Sequence, residues 1–158
     1  MRHTILNLDG LILFELNYGT FSSCVEAAVK RGMGLQRADL RTRNLSGCHL
    51  EGGEFQHANF QHAALSYTNF RGADLSGANF NGAVTQDMDI RGACIDRSCW
   101  SLWRGNQGLI MDEEQAKQFL IQGFNSAKVF WPGGLTDEQK DWLNSSHRVA
   151  TGSYPAFE

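Results

Sequence analysis

The chain has 158 residues, of which 42% are hydrophobic and 20% charged, which suits one folded domain and excludes a disordered polypeptide. Its net charge of −3 gives no general attraction to nucleic acid, and no apolar run is long enough for a membrane span or a signal peptide. Four cysteines without C-x-x-C spacing fit reduced thiols, so we predict a soluble, cytoplasmic protein.

The first 32 residues predict a strand followed by a helix. Residues 11–16 form a short apolar run typical of a strand. Residues 20–31 predict a helix, because apolar residues recur there at helical spacing and Gly32 follows directly. We assign residues 1–32 to an N-terminal cap of a strand plus a helix, which closes one end of the structure that follows.

From residue 35 to residue 100, nearly every fifth residue is large and apolar. A helix has a period of about 3.6 and a strand a period of about 2, so neither produces this spacing, whereas a tandem repeat does. Thr85 is the one interruption among fourteen positions. We predict that the other thirteen form the structural core: Leu35, Leu40, Leu45, Leu50, Phe55, Phe60, Leu65, Phe70, Leu75, Phe80, Ile90, Ile95 and Trp100.

Each group of five residues, or pentad, has a common pattern around its large central residue. A small residue often stands two positions earlier, Asp or Asn one position earlier, and Gly two positions later, as in residues 71–83. Glycine allows the sharp change of direction that a corner needs. Met33, Arg43 and Met88 occupy positions where a small residue is expected, and residues 84–88 predict a local distortion or bulge.

The pattern over residues 35–100 resembles the Ala-(Asp/Asn)-Leu-x-x signature of the pentapeptide-repeat family. What the resemblance implies is a mainly β fold, a right-handed quadrilateral β-helix or solenoid of about 3.5 coils, to which we assign residues 33–100. Residues 20 apart would then stack along the axis, which places Phe60 over Phe80. The two ends of the chain resemble those of phage and prophage members of the family.

After the last pentad the period of five is lost. Asp112 and Gln115 have the spacing of a helix capping box. Thr136 and Gln139 repeat that spacing. We assign residues 101–158 to a C-terminal helical cap and tail, which covers the other end of the coils.

The sequence contains no motif for nucleophilic catalysis, a phosphate-binding loop or a dinucleotide fold. His49, His57 and His62 fall on different sides of the predicted rod and so do not converge on one metal ion. Catalysis needs convergent groups in a pocket, which a convex rod does not supply. We therefore predict no enzyme, no metal and no cofactor, and keep a C-terminal enzyme site around Trp103 and Arg104 as an alternative.

The charge of the repeat argues against a rod that imitates DNA over its whole surface. Residues 33–100 contain seven acidic and six basic residues, a net charge of −1. About 17 Å of duplex, the predicted length of the rod, carries roughly ten negative charges. The expected surface is mixed and solvated, with a Glu51–Arg71 pair between neighbouring coils.

Charge can still be separated by side. Adding 20 places Glu54 above Asp74 in one column, and Arg37 and Arg97 in another. The candidate partner-binding residues are therefore Arg37, Arg97, Glu54, Asp74, Trp103 and Arg104.

Three functions stay open. The first is a non-catalytic protein-binding module, encoded by a phage or prophage, that binds and modulates or inhibits a host protein such as a defence or nucleic-acid enzyme. The second, implied by the family resemblance, is a DNA mimic that inhibits or protects DNA gyrase or topoisomerase. The third is a purely structural scaffold. We expect no direct binding to nucleic acid or membrane, and a homodimer is left open.

Overall fold

The structure is a computed structural model that describes residues 1–100, 109–112, 114 and 115. Its regular elements, in chain order, are β1 (His3–Leu6), β2 (Ile12–Leu16), α1 (Phe21–Lys30), β3 (Asn79–Phe80) and β4 (Cys99–Trp100). Among these described residues, no helix has the length and apolar character that a membrane span requires. The helices predicted for residues 101–158 lie outside the described residues, apart from helical Glu114 and Gln115.

The chain begins with an antiparallel hairpin of β1 and β2. Ile5 pairs with Phe14, and the register shifts between Ile5 and Leu6. The sequence pattern predicts β2 but not β1, because β1 has four residues with no clear alternation of polar and apolar side chains. Ile5 is fully buried, so β1 is stabilised by its packing more than by its local sequence.

The predicted helix is confirmed as α1. Thr20 caps its first turn by accepting a hydrogen bond from the Ser23 amide at 3.1 Å. Gly32 follows the last turn with a φ of +66°, a conformation that favours glycine. The buried face of the helix consists of Cys24, Val25 and Ala28.

Residues 35–100 form a β-helix type of fold, in which parallel backbone pairs join residues 20 apart. β3 and β4 pair Asn79 with Cys99 and Phe80 with Trp100. Because one coil takes 20 residues, it holds four pentads, and the corner in each pentad keeps the strands short. The other pairs are Asp39–Asn59, Asn44–Ala64, His49–Asn69, Glu54–Asp74, Asn59–Asn79, Ala64–Val84, Asn69–Asp89 and Asp74–Cys94.

The core is a column of large side chains inside the coils. All thirteen residues singled out from the sequence are buried, the most exposed being Trp100 at 6%. Thr85 is buried as well. The predicted stacking is confirmed: Phe60 and Phe80 have ring centroids 4.8 Å apart with planes 4° apart, and Trp100 lies 4.1 Å from Phe80. Each such pair contributes about 0.5–1.5 kcal/mol beyond burial.

The Asp or Asn before each central residue has a local role that explains its recurrence. Its side-chain oxygen accepts a hydrogen bond from the amide two residues later. Asn59 accepts from Gln61 at 2.9 Å, and Asn79 accepts from Asn81 at 3.0 Å. These Asx turns fix the chain as it enters the corner.

The corner residue, two positions after each centre, adopts a left-handed backbone. At six corners between residues 37 and 97 it is glycine, with φ between 65° and 73°. A left-handed residue that carries a Cβ costs about 1 kcal/mol or more, so the paired backbone imposes this geometry where glycine is missing. The seven other corner residues are Arg37, Thr42, His57, His62, Tyr67, Asp87 and Arg97.

The predicted distortion at residues 84–88 is wrong. Val84 pairs with Ala64 in the normal register, and its carbonyl accepts a hydrogen bond from the Leu65 amide at 2.8 Å. Met88 is fully buried although a small residue is expected there, because an unbranched side chain adapts to an irregular gap. The backbone ladder therefore tolerates an unusual pentad without bending.

The loss of the period after residue 100 does not end the backbone pairing. Ile110 pairs in parallel with Asp89, and its amide donates to the Met88 carbonyl at 2.9 Å. The spacing here is 21 residues, which hides this rung from a search for multiples of five. Leu109 and Met111 are buried on either side of Ile110.

Side chains of the N-terminal unit close the exposed edge of the first coil. The Ser22 hydroxyl donates to the Asn44 carbonyl at 2.7 Å. The Glu26 carboxylate accepts a hydrogen bond from the His49 amide at 2.8 Å. The hairpin also contributes, since backbone groups of residues 6 and 8 bond to residues 39 and 37. Backbone groups that would otherwise lack partners are thus satisfied.

Gln115 closes the last described rung. Its side-chain amide donates to the carbonyls of Ile90 and Ala93, the latter at 2.8 Å. Its side-chain oxygen accepts from the Asp112 amide at 2.9 Å, and Asp112 accepts in return from the Gln115 amide at 2.9 Å. The predicted capping box at these two residues is confirmed.

Candidate functional site

The interior of the coils is filled with apolar side chains, so the polar groups of residues 35–100 lie on the outer sides. On each side the residues before and after the centre are outward, and residues 20 apart stack. One side carries carboxylates in three coils and no basic residue among its outward positions. We call it the acidic side and define it by Glu54, Asp74 and Asp96.

Glu54 and Asp74 lie directly opposite each other on neighbouring coils, at the strand spacing of about 4.8 Å. Each carboxylate accepts a hydrogen bond from a glutamine of the preceding coil. Gln36 donates to Glu54 at 2.7 Å, and Gln56 donates to Asp74 at 2.8 Å. These amide donors offset part of the repulsion between the two like charges.

Hydrogen bonds lower the pKa of Asp74 below its ordinary value. The largest contribution comes from the Ser76 hydroxyl, which donates to Asp74 Oδ1 at 2.6 Å. Partial burial opposes the shift, but the Ser76 amide and the Gln56 side chain add to it. The Asp74 carboxylate is therefore charged throughout the neutral range and fixed in position.

The corner column beside the acidic side does not form a continuous basic stripe. Arg37 is held by an ion pair with Asp9 of the hairpin, at 3.1 Å. In the next coil the ring of His57 packs over Gly77, where an added Cβ would overlap it. Arg97 is exposed. The column predicted from Arg37 to Arg97 thus consists of a tie to the hairpin, a packed histidine and an exposed cation.

The other sides have different charges. The predicted Glu51–Arg71 pair is not formed, because Glu51 instead accepts a hydrogen bond from Asn69 at 2.6 Å. Another side carries no charge on its outward residues. We call it the uncharged side and define it by Asn44, Ser46, Ala64, Ser66, Val84 and Gln86.

Among the residues that the structure describes, no three His, Cys, Asp or Glu side chains are placed to hold one metal ion. His62, like His57, packs its ring over a glycine of the next coil, in this case Gly82. Cys94 and Cys99 are exposed free thiols. These residues carry no convergent set of catalytic or ligating groups toward a common point.

A cleft that sequence reasoning missed lies between the hairpin and the first coil. It has a volume of about 520 Å³ and is lined by Thr4, Leu6, Asp39, Arg41, Thr42 and Arg43. The available signal was Arg43, which departs from the small residue expected in its pentad. Of the predicted partner-binding residues, Trp103 and Arg104 lie outside the described residues.

Comparison with known proteins accounts for the coils. The family model for pentapeptide repeats matches residues 35–66 and 54–84, with eight copies of the repeat. Proteins with this repeat are generally non-catalytic and act in structure or in protein interaction. No curated protein matches the chain.

Proposed function

We propose that this chain, with its pentapeptide repeats over residues 35–84, is a non-catalytic protein-binding module whose docking surface is the acidic side. The observation that carries the proposal is the placement of Glu54 opposite Asp74 on neighbouring coils. Like charges directly opposite each other lower the stability of a sheet. Their presence without a basic neighbour on that side favours a role in contact with a partner, and the complementary partner is a basic protein surface.

The acidic side is also well ordered for binding. Its carboxylates are fixed by Gln36, Gln56 and Ser76, and the backbone beneath them is held by the pairs between coils. A surface that is already ordered loses little conformational entropy on association, which leaves more of the interaction energy for affinity.

For the partner, we propose a host protein, such as a defence or nucleic-acid enzyme, and a phage or prophage origin for the chain. The motivation is the resemblance of the ends of the chain to phage-type members of the repeat family. Such a module would act in the host cytoplasm. A homodimer would present two copies of the acidic side to the partner.

DNA mimicry directed at gyrase or topoisomerase is the weaker alternative. Three carboxylates on the acidic side span two coil spacings, about 10 Å. The same length of duplex carries roughly six negative charges. The side therefore supplies about half the charge density of DNA, which fits a local contact better than the whole groove-and-backbone surface of a duplex.

For the fold, we infer that the coils wind in the right-handed sense around a four-sided section, as the repeat family resemblance implies. The 20-residue spacing of the backbone pairs supports four pentads per coil. The C-terminal helical cap belongs to the same inference, and the helical residues after Asp112 support its start. A crystal structure with left-handed coils would contradict it.

Affinity purification from bacterial lysate with mass spectrometry tests the docking surface. The double variant Glu54→Lys/Asp74→Asn removes two charges while the asparagine keeps the acceptor for the Ser76 amide. The matched control, Ser46→Lys/Ser66→Asn, changes the uncharged side. We expect a stoichiometric partner with wild type and control, and its loss with the double variant.

Two results would contradict the proposal. Equal capture of the partner by both variants would exclude the acidic side, and no stoichiometric partner from any host lysate would count against a binding module. A supercoiling assay separates the alternative, because inhibition of gyrase at micromolar protein would favour DNA mimicry. Thermal unfolding of each variant shows whether the fold is intact.

A further inference from the structure

The cleft between the hairpin and the first coil contains one arginine whose charge is not compensated. Arg41 is bound by Asp39 through two hydrogen bonds of 2.7 Å, from Nε and Nη2. Arg43, by contrast, forms no side-chain hydrogen bond or ion pair with any described residue. Its guanidinium carbon lies 4.3 Å from the centre of the Phe21 ring. Its N–H donors are therefore available at the cleft.

The position of Arg43 follows from the end of the coil. Ala63 and Ala83, in the same column, are buried in the interior of later coils. In the first coil no coil lies below, and α1 covers the end instead, so the Arg43 side chain runs outward over Phe21. Stacking on an aromatic ring orients a guanidinium and leaves its edge free for a planar acceptor.

The charges around the cleft select a singly charged ligand. The pKa of Asp39 is lowered, first by the hydrogen bond from Arg41 and also by the charge of Arg43. Asp39 therefore stays ionised and cancels Arg41. Beside the cleft Glu15, which accepts from Thr4 at 3.4 Å, is paired with Arg2 at 3.0 Å. The remaining charge is that of Arg43, and a second negative charge on a ligand would meet the Asp39 carboxylate.

The shape and lining of the cleft add an apolar requirement. Leu6 is 39% exposed and lines the cleft. The Thr42 hydroxyl already donates to the Arg41 carbonyl, at 2.6 Å, so it offers no donor to a ligand. The volume of about 520 Å³ is in the range of small-molecule sites and exceeds that of a bare ion.

We infer that this cleft binds a carboxylate carried on a short aliphatic chain, with the Arg43 guanidinium as its main ligand and Leu6 against its aliphatic part. A planar carboxylate matches the two parallel N–H groups of a guanidinium edge, whereas a phosphate dianion matches the available charge less well. The carboxylate comes either from a free small molecule or from a glutamate side chain on a peptide. This site is separate from the acidic side and does not depend on it.

Titration of ¹⁵N-labelled protein, followed by NMR, tests the site. The probes are butyrate, neutral butyramide, inorganic phosphate and glutamate blocked at both backbone ends, all at equal ionic strength. We expect butyrate at millimolar concentration to shift the amides of residues 4–6 and 41–43, and butyramide and phosphate to leave them unchanged. Shifts with blocked glutamate as well assign the site to a protein side chain, and shifts with butyrate alone assign it to a free small molecule.

Variants separate the cleft from general charge effects. Arg43→Gln is expected to weaken butyrate binding by about tenfold or more, since a charged hydrogen-bonding group is lost. Arg43→Lys, which keeps the charge but not the planar fork, should also weaken it. Arg71→Gln, an exposed arginine of another side, is the matched control and should bind butyrate like wild type.

Three results would overturn the inference. One is the absence of butyrate-dependent shifts in wild type, and another is their persistence in Arg43→Gln. The third is a phosphate response as large as that of butyrate, which would mark a general anion site. The dispersion of each variant's spectrum shows that it is folded, which is expected because the Arg43 side chain is exposed.

Discussion

The ring of Phe55 lies over the Cα of Gly53. A Cβ added at Gly53 would overlap Cε2 of the ring, and would lie 3.0 Å from Cδ2 and 3.2 Å from the Leu50 carbonyl oxygen. Gly53 is the only glycine among the small-residue positions of the fourteen pentads. In the next coil the same two positions hold Ala73 and Leu75, so the larger central residue is accommodated by a smaller neighbour.

Gly53→Ala should therefore lower the free energy of unfolding by about 1–3 kcal/mol, because the buried ring and a backbone carbonyl leave no room for a methyl group. Phe55→Leu alone is also destabilising, since it leaves a cavity. The double variant recreates the Ala–Leu combination of residues 73 and 75, so its loss should be smaller than the sum of the two single losses. Urea unfolding of the four proteins measures this coupling.

Gly52→Ala is the control for backbone strain. Gly52 has a φ of +66° and no atom within 4 Å of an added Cβ, so only the left-handed conformation is penalised, by about 1 kcal/mol. Phe55→Leu should not rescue this variant. Strict additivity of Gly53→Ala and Phe55→Leu would contradict the packing explanation.

The period of five was sufficient to predict the core and the pairing of residues 20 apart, because each pentad repeats one local requirement. The hairpin strand β1 was not predictable in that way, since Ile5 is apolar at a position that only tertiary packing identifies as buried. The rung at Ile110 escaped because its spacing of 21 breaks the period. The cleft escaped because it forms only when the hairpin folds against the first coil, although Arg43 was already an irregularity.

Gln115 should be required for the stability of the last rung. It is buried, and it both donates to the Ala93 carbonyl and accepts from the Asp112 amide. Gln115→Glu keeps the acceptor but replaces the donor with a carboxylate that faces carbonyl oxygens. We expect a loss of about 1–3 kcal/mol at neutral pH, measured by urea unfolding.

The sign of the pH effect distinguishes this cause from a simple loss of packing. Carbonyl oxygens and burial favour the protonated acid, so the pKa of the introduced glutamate is raised in the folded state. Its destabilising effect is full above that pKa and is relieved as the pH falls below it. A difference from wild type that is the same at pH values above and below the carboxyl range would contradict the prediction.

The four cysteines should separate into two reactive and two protected thiols. Cys94 and Cys99 are exposed, whereas Cys24 and Cys48 are buried. Burial, with a smaller contribution from the charge of Glu26, raises the pKa of Cys48 to about 11, which suppresses its thiolate at neutral pH.

A thiol reagent such as Ellman's reagent should therefore modify two cysteines in the native protein and all four in urea. In the variant Cys94→Ser/Cys99→Ser, the fast reaction of the native protein should disappear. Rapid modification of that variant without denaturant would show that Cys24 or Cys48 is accessible, contrary to the packing of the first coil and α1.

Asp89 should contribute to the acid sensitivity of the fold. Partial burial raises its pKa, but the hydrogen bonds from the Arg91 side chain and amide, together with the charges of Arg91 and Arg71, lower it by more. The guanidinium of Arg91 reaches the two carboxylate oxygens at 2.9 and 2.6 Å. The net pKa is below the ordinary value.

A group whose pKa is lower in the folded state stabilises the fold above its unfolded pKa, about 3.9 for aspartate, and loses that contribution as the pH falls through the folded value. Asp89→Asn keeps an oxygen acceptor for the Arg91 amide but loses the ion pair. Its stability at neutral pH should be lower than that of wild type, and the difference should shrink below about pH 4. Asp87→Asn is the matched control, because Asp87 makes no ion pair with a described residue. Urea midpoints measured across the acid range for all three proteins decide the matter, and a difference between wild type and Asp89→Asn that stays constant with pH would exclude the ion pair as its source.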